Sequence, residues 1–578
     1  MKLGMINTIR MKYLQKISLN CCLAFIILVT VLILGKGINT SEFLSADAAH
    51  HGMDGIFVLD FVRDHPVFNI YDYAVQYYTK YPALKIGFYP PFFAAVEALF
   101  YAIFGISVFS ARLTVLFFAI IAMIYWFKLI RLIYNEKIAF YSCLLFITTP
   151  YVVEWSKTVM LEMPALAMII VAVYCFYHYI ERNTPGYKYY FILSTIAAVY
   201  TKQTAVFIIP LFFLYILFTK KHKRLLDKEV LLIGAALLLL VLPLAIITLK
   251  FGGTNIEQSI GDTGGRGGGG FLRDILVYPK FLPNILTYPV LILSVISFFF
   301  IKKYFYKSIL FFAWIISFYL LFTYMNVRVI RYAYFWLPPF FLFASLPLDK
   351  NRWKIKNVSF GIILFILIFC YQFYSSFSYN KPLFSGYEDA AKYILGQQTN
   401  KVFCQGSGIA EGNFIYQIRR LDKKRRMVVY RGSKILASYA MYANKSLVEH
   451  VKNKEEIQSL FDDYGLEFFV IEEPINVRQH GNIKAFKLLR EVLRSKEYSL
   501  IKTIRLKKER SEAIGELILI YKINKETSVK RDVIHMRLPI IGTEITVPLK
   551  QLSNFYTPSK DSVSISDIIK KFLLKNTK

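Results

Sequence analysis

Apolar runs of membrane-spanning length, separated by short connectors rich in lysine and arginine, fill the first 378 residues of the chain. The first, Ile17 to Leu34, follows a basic start (Lys2, Arg10, Lys12, Lys16). It is too long for a signal h-region and lacks a cleavage motif, so it reads as an uncleaved span with its N-terminus inside. Further spans are predicted near 110–128, 138–152, 163–180, 188–201, 204–219, 229–249, 283–301, 308–325, 332–348 and 357–377. Phe92 to Phe104, after Tyr89-Pro90-Pro91, covers 13 residues, short of the roughly 20 that a spanning helix needs. It is expected to lie at the outer interface.

Beyond Tyr379 the pattern changes to that of a soluble α/β domain. Helical periodicity over Tyr387–Leu395, Gly412–Arg420, Lys454–Tyr464 and Ile483–Ser495 alternates with short apolar runs at Lys401–Cys404, Met427–Tyr430, Phe468–Ile471 and Glu516–Tyr521. Val533 to Leu552 suggests a hairpin, with Ile540-Ile and Glu544-Ile-Thr-Val flanking Gly542-Thr543, and Asp567 to Leu574 a peripheral helix. The domain layout is therefore a membrane region, 1–378, with a first outer loop at 38–108, an outer-face α/β domain at 379–525, and a hairpin and tail at 526–578.

Composition agrees with a polytopic α-helical membrane protein: 56% of the 578 residues are hydrophobic and 17% aromatic, including 51 Phe and 41 Tyr, more than a soluble domain can bury. A net charge of +31 would suit nucleic acid, but much of it sits in the connectors, where topology places it. Keeping Phe92–Phe104 outside puts those connectors all inward, giving roughly eleven spans and an outer C-terminus. The six cysteines form neither a disulfide framework nor a zinc spacing.

That topology gathers polar span ends on the outer side. They are the Asp47 loop, Glu154 to Glu162, Thr201-Lys-Gln-Thr204, Phe251 to Leu282, and Asn326 to Tyr332. Single Lys or Arg residues at span ends are usually snorkelling anchors, whereas short-stemmed carboxylates snorkel poorly. In Ser45-Ala-Asp-Ala-Ala-His-His-Gly-Met-Asp54-Gly55, Asp47, His50, His51 and Asp54 recur at i, i+3, i+4 and i+7 and would share a helix face. Asp47 suits a general base or a divalent-cation ligand, and a merely solvated first loop is the plain alternative. Glu97 marks the polar edge of the interfacial helix and receives no role. Gly261–Gly270 is a poor phosphate loop, lacking the Gly-Lys-Ser/Thr ending, and reads as a flexible loop or lid. Arg419 to Arg426 is a solvated charge run or a grip for an anionic carrier.

The first 380 or so residues resemble the GT-C superfamily of polyprenyl-phosphate-dependent glycosyltransferases, in the bacterial branch related to protein O-mannosyltransferases and lipid A aminoarabinose transferases. The likeness runs through Asp47, Tyr89-Pro90-Pro91 with Phe109-Ser-Ala-Arg-Leu113, Thr149-Pro150 to Leu161-Glu162-Met-Pro164, Thr201-Lys-Gln-Thr204, and Arg331-Tyr332 ahead of Leu337-Pro-Pro339. Many relatives carry Asp-Glu where this chain has Asp47-Ala48, and Asp-x-Pro where it has Glu162-Met163-Pro164. The resemblance implies a transferase that moves a sugar from a polyprenyl-phosphate donor to a hydroxyl acceptor on a protein, lipid or polysaccharide, outside the cytoplasmic membrane and with inversion.

Such chemistry assigns Asp47 as base, with Glu162 orienting the acceptor, and Lys202 and Arg331 holding the donor phosphate. His50, Tyr89 and Tyr332 are further substrate-binding candidates, and His50 and His51 rival Asp47 as base. The residues leave metal use open, with Asp47 and Glu162 as the ligands of any divalent ion, and neither a nucleotide site nor a nucleic-acid partner is expected. A lipid-linked-sugar transporter would show internal repeats and midplane polar residues instead. A non-catalytic membrane protein with an outer α/β domain leaves the outer charges unexplained.

Overall fold

The structure, a computed structural model, describes residues 20–65, 70–85, 87–251, 270–325, 329–349, 354–355, 358–440, 443–476, 481–509, 515–527, 529–538 and 543–553. These fall into two compact units. The first draws on the segments Met1–Ile38, Leu113–Ile246 and Ser259–Asn380, the second on Asn39–Arg112, Ile247–Gln258 and Lys381–Lys578.

The first unit is helical. Among the described residues five helices are long and apolar enough to cross a membrane: Val108–Ile133, Glu162–Glu181, Lys228–Lys250, Tyr288–Tyr324 and Phe360–Ser378. Glu136–Ile147 and Pro150–Ser156 meet at 64° and make a sixth if they are one span. Helices stand at the remaining expected positions too, but Asn20–Gly35, Gln203–Phe218 and Pro338–Leu348 are shorter, as is Tyr187–Thr201. The two spans expected at 283–301 and 308–325 largely overlap the single 37-residue stretch Tyr288–Tyr324, and residues 283–285 end the preceding helix, Gly270–Ile285.

The bend before Pro150 follows from its missing N–H and from the extended backbone it favours at Thr149, whose ψ is 124°. Polar side chains take up the groups released there. Ser376 Oγ donates to the Thr148 carbonyl at 2.7 Å, and Gln372 links the Thr148 and Thr287 hydroxyls at 3.0 and 2.6 Å. Burial separates the helices by role. The apolar window of Glu162–Glu181 is 78% buried, that of Lys228–Lys250 only 11%, so the latter suits lipid as its solvent and the former a bundle interior.

In the second unit five strands, β1 (Lys401–Gln405), β2 (Val428–Arg431), β3 (Phe468–Glu473), β4 (Tyr498–Arg505) and β5 (Leu517–Ile523), form a mixed sheet in the order β2-β1-β3-β5-β4. β1 is parallel to β2 and β3, and β5 is antiparallel to β3 and β4. Phe403, Phe461, Phe469, Phe486 and Leu489 build the core, which Ile534, Met536, Ile545 and Val547 of the antiparallel strands Val533–Leu538 and Thr543–Pro548 join. β4 lacks an apolar run because Tyr-Ser-Leu-Ile-Lys-Thr-Ile-Arg is an edge strand exposed on both sides.

The same unit holds the Asp47 stretch as a helix, Ala46–Asp64, started by Ser45, whose Oγ accepts the Ala48 N–H at 3.1 Å. Twelve of its 19 residues are buried, so the solvated-loop alternative is corrected. Gly412 on the Gly408–Leu421 helix lets it approach closely, since a Cβ there would lie 2.9 Å from the Ala49 Cβ. Glu97 is also corrected: it is fully buried rather than at a polar edge. Its carboxyl accepts from Tyr101 Oη at 3.3 Å and fills the space a side chain at Gly55 would need.

The Arg419–Arg426 run divides in the same way. Arg419 donates from Nε and Nη2 to Asp60 at 2.8 and 2.5 Å, and Arg425 from Nη1 and Nη2 to Asp64 at 2.6 and 2.8 Å, all four residues buried or nearly so. Only Lys423, Lys424 and Arg426 are exposed. The Gly261–Gly269 loop and the tail from 554 onward lie outside the described residues.

Removing one partner of such a pair strands a buried charge, at a cost of about 3–5 kcal/mol. Asp60→Ala is expected to lower the melting temperature of the purified protein clearly, and a change within ~0.5 kcal/mol would show that the Arg419 contact contributes little.

Candidate functional site

Glu162 and Lys202 come together through a helical hairpin. Glu162 opens the helix Glu162–Glu181, and the chain returns through Tyr187–Thr201, whose C-cap is Lys202. An acid at a helix N-terminus and a base at a C-terminus each complement their own helix dipole. The turn between the helices brings these two ends side by side, with Lys202 Nζ 2.6 Å from Glu162 Oε1. Glu162 is fully buried and the Lys202 side chain 8% exposed.

Arg331 completes the cluster, its Nε 3.7 Å from the same Glu162 oxygen and its side chain 24% exposed. It lies in the 3₁₀ turn Ile330–Trp336, held by Trp314 Nε1 donating to the Phe335 carbonyl at 2.9 Å and by the Tyr334 hydroxyl 2.8 Å from Ser156 Oγ. The ring of Tyr332 stands 5.2 Å from Lys202 Nζ, and that of Phe335 5.7 Å. Four predicted residues, Glu162, Lys202, Arg331 and Tyr332, therefore meet in the first unit. Two cations face one carboxylate between aromatic walls, an arrangement suited to holding an anion.

Asp47, His50 and Tyr89 belong to the second unit, arranged around the non-helical segment 82–85. Lys85 Nζ is 2.7 Å from Asp47 Oδ1, with both side chains about one-fifth exposed. The Lys85 backbone N–H donates to Asp54 at 2.9 Å, and His50 Nδ1 lies 2.6 Å from the Ala83 carbonyl. Asp47, His50 and Asp54 thus meet segment 82–85 from one helix face, and His51 on the same helix packs on Tyr89 with ring centroids 4.7 Å apart. Lys85 also stands 5.6 Å from the Tyr89 ring.

Burial, together with Lys85 and Arg431, pushes the His50 pKa well below its usual value. The ring is neutral at neutral pH and its Nδ1–H donates to Ala83. Lys85 is the residue that sequence reasoning missed, and its signal was a lone cation just ahead of Tyr89-Pro90-Pro91. Among the described residues no three His, Cys, Asp or Glu side chains group as metal ligands.

Residues 89–247 match the family described as dolichyl-phosphate-mannose-protein mannosyltransferase. Among solved structures, the chain resembles ArnT from Cupriavidus metallidurans bound to undecaprenyl phosphate, with a TM-score of 0.58 and 10% identity over 87% of this chain and 98% of that one. The apo state of the same ArnT gives a TM-score of 0.56 and 11% identity, over 86% and 97%. The oligosaccharyltransferase from Archaeoglobus fulgidus in its apo form gives 0.49 and 12%, over 87% and 76%. No curated protein matches the chain. The likeness to GT-C glycosyltransferases expected from the motifs is borne out by this family match and by the fold that the chain shares with ArnT.

His50 is neutral when folded and ionises more readily when unfolded, so its contribution is present above about pH 6.5 and is lost as the pH falls below it. The melting temperature should drop between pH 7.5 and 5 in the wild type and less steeply in His50→Gln; parallel curves would remove His50 as the cause.

Proposed function

We propose that this protein is an integral-membrane glycosyltransferase that takes a sugar from a polyprenyl-phosphate donor and passes it to a hydroxyl acceptor on the outer face of the cytoplasmic membrane, with inversion. The observation that carries the reading is the Glu162–Lys202–Arg331 cluster in a chain with the GT-C fold and a mannosyltransferase family match. The ArnT structure was solved with undecaprenyl phosphate, which supports a donor of that lipid-phosphate class here.

Lys202 and Arg331 hold the donor phosphate and stabilise the charge that grows on it as the sugar leaves. Glu162 orients both cations. Both cations meet its Oε1, while Oε2 is buried with no hydrogen-bond partner among the described residues and is left to orient the acceptor. Asp47 takes the acceptor proton as the new glycosidic bond forms, its carboxylate oriented by Lys85. Tyr89 and Tyr332 contribute aromatic surface for substrate, and His50, neutral and buried, sets the position of the 82–85 segment.

In the topology of this reading Tyr288–Tyr324 is two spans, because 37 residues would extend roughly 55 Å as one helix against a hydrocarbon core of about 30 Å. Phe92–Phe104 lies on the outer face, with Leu99, Ile103 and Phe104 exposed on one side and Glu97 and Tyr101 buried on the other. About eleven spans result, with the C-terminal part outside.

Three experiments test these assignments. Asp47→Asn should insert and bind undecaprenyl phosphate normally yet lose transfer by roughly 10²–10⁴-fold, while Arg331→Ala should lose on the order of 1.5–3 kcal/mol of binding to that lipid. Arg331→Lys should also be impaired, since the planar fork is gone. Near-normal turnover in Asp47→Asn would pass the base to another residue, and unchanged binding in Arg331→Ala would take it out of the site. Reporter fusions after Thr219 and after Asn380 should report opposite sides of the membrane, and matching signals would overturn the topology.

A further inference from the structure

Segment 82–85 also anchors a cation that the mechanism does not use. Arg431, at the end of β2, donates from Nη1 to the Pro82 carbonyl at 2.7 Å and from Nε to Glu411 at 2.6 Å. The Ser433 N–H donates to the same Glu411 carboxylate at 3.2 Å. These bonds tie the short turn Gly432–Ile435, which contains Lys434, to segment 82–85, whose Lys85 pairs with Asp47. Lys85 is matched by Asp47 and Arg431 by Glu411. Lys434, half-buried, has no hydrogen bond or ion pair among the described residues.

We propose that Lys434 forms a subsite for an anionic group, a phosphate or carboxylate, carried by a substrate that approaches Asp47. The inference rests on the glycosyltransferase reading. Because that reading gives the donor phosphate to Lys202 and Arg331, the anion at Lys434 is in the first instance the acceptor's. An unbalanced ammonium next to two more cations is costly to keep, and an arriving anion relieves that cost. Consistent with this, burial, Arg431 and Lys85 push Lys434 down to about 7 against the opposing pull of Glu411. The binding form is the ammonium, so affinity for the anion falls as the pH rises through neutrality.

The test uses the purified full chain in lipid nanodiscs and two probes, inorganic phosphate and undecaprenyl phosphate, titrated against wild type, Lys434→Met and Lys434→Arg. Loss of one charge-assisted contact should weaken binding in Lys434→Met by roughly tenfold or more. Lys434→Arg should retain affinity and lose the decline between pH 6 and 8. A loss confined to inorganic phosphate assigns the subsite to an acceptor's anion, and a loss for undecaprenyl phosphate assigns it to the donor. If neither probe binds the wild type, or Lys434→Met binds both as the wild type does, the subsite is overturned. Arg331→Ala, measured alongside with undecaprenyl phosphate, reports on the donor assignment separately.

Discussion

A carboxylate with no access to water must be matched within the protein, and Glu162 is matched by Lys202 at 2.6 Å and approached by Arg331 at 3.7 Å. Much of the first unit follows from that requirement. The hairpin of Glu162–Glu181 and Tyr187–Thr201 has to close with its open ends level. The 3₁₀ turn carrying Arg331 has to be pinned by Trp314 and Ser156 so that a long, flexible side chain meets the acid. An isolated buried acid would cost several kcal/mol, whereas one placed at a helix N-terminus and met by two cations is tolerable and keeps those cations oriented.

The second unit solves a related problem with its backbone. Segment 82–85 lies outside the helices, and three of its backbone groups meet side chains: Pro82 accepts from Arg431, Ala83 from His50, and the Lys85 N–H serves Asp54. One short stretch thereby fixes the first-loop helix and the turn after β2 with respect to each other. The paired contacts Asp60–Arg419 and Asp64–Arg425, one helical turn apart on Ala46–Asp64, run along the same helix. Gly412 allows the approach that makes them possible. Charge that looks like solvated surface in the sequence is in this way used for internal fit, whereas Lys434 has no such ion pair among the described residues.

What the sequence determined by itself was set by periodicity and hydropathy, because those are local. The runs near 110–128 and 163–180 and the alternation of helix and strand after Tyr379 are written in neighbouring residues, and those helices and β1, β2, β3 and β5 stand where they were expected, whereas the continuous helix expected at 138–152 is broken between Ile147 and Pro150. The ordered motifs were also enough to single out Glu162, Lys202, Arg331 and Tyr332. What only the tertiary structure decided was pairing at long sequence separation. Nothing local says that Lys202 meets Glu162 across 40 residues, or that Arg419 meets Asp60 across 359. Edge strand β4 and buried Glu97 escaped for the same reason. An acid's burial depends on what packs over it, and a strand with two exposed faces carries no apolar signal until its partner β5 is in place.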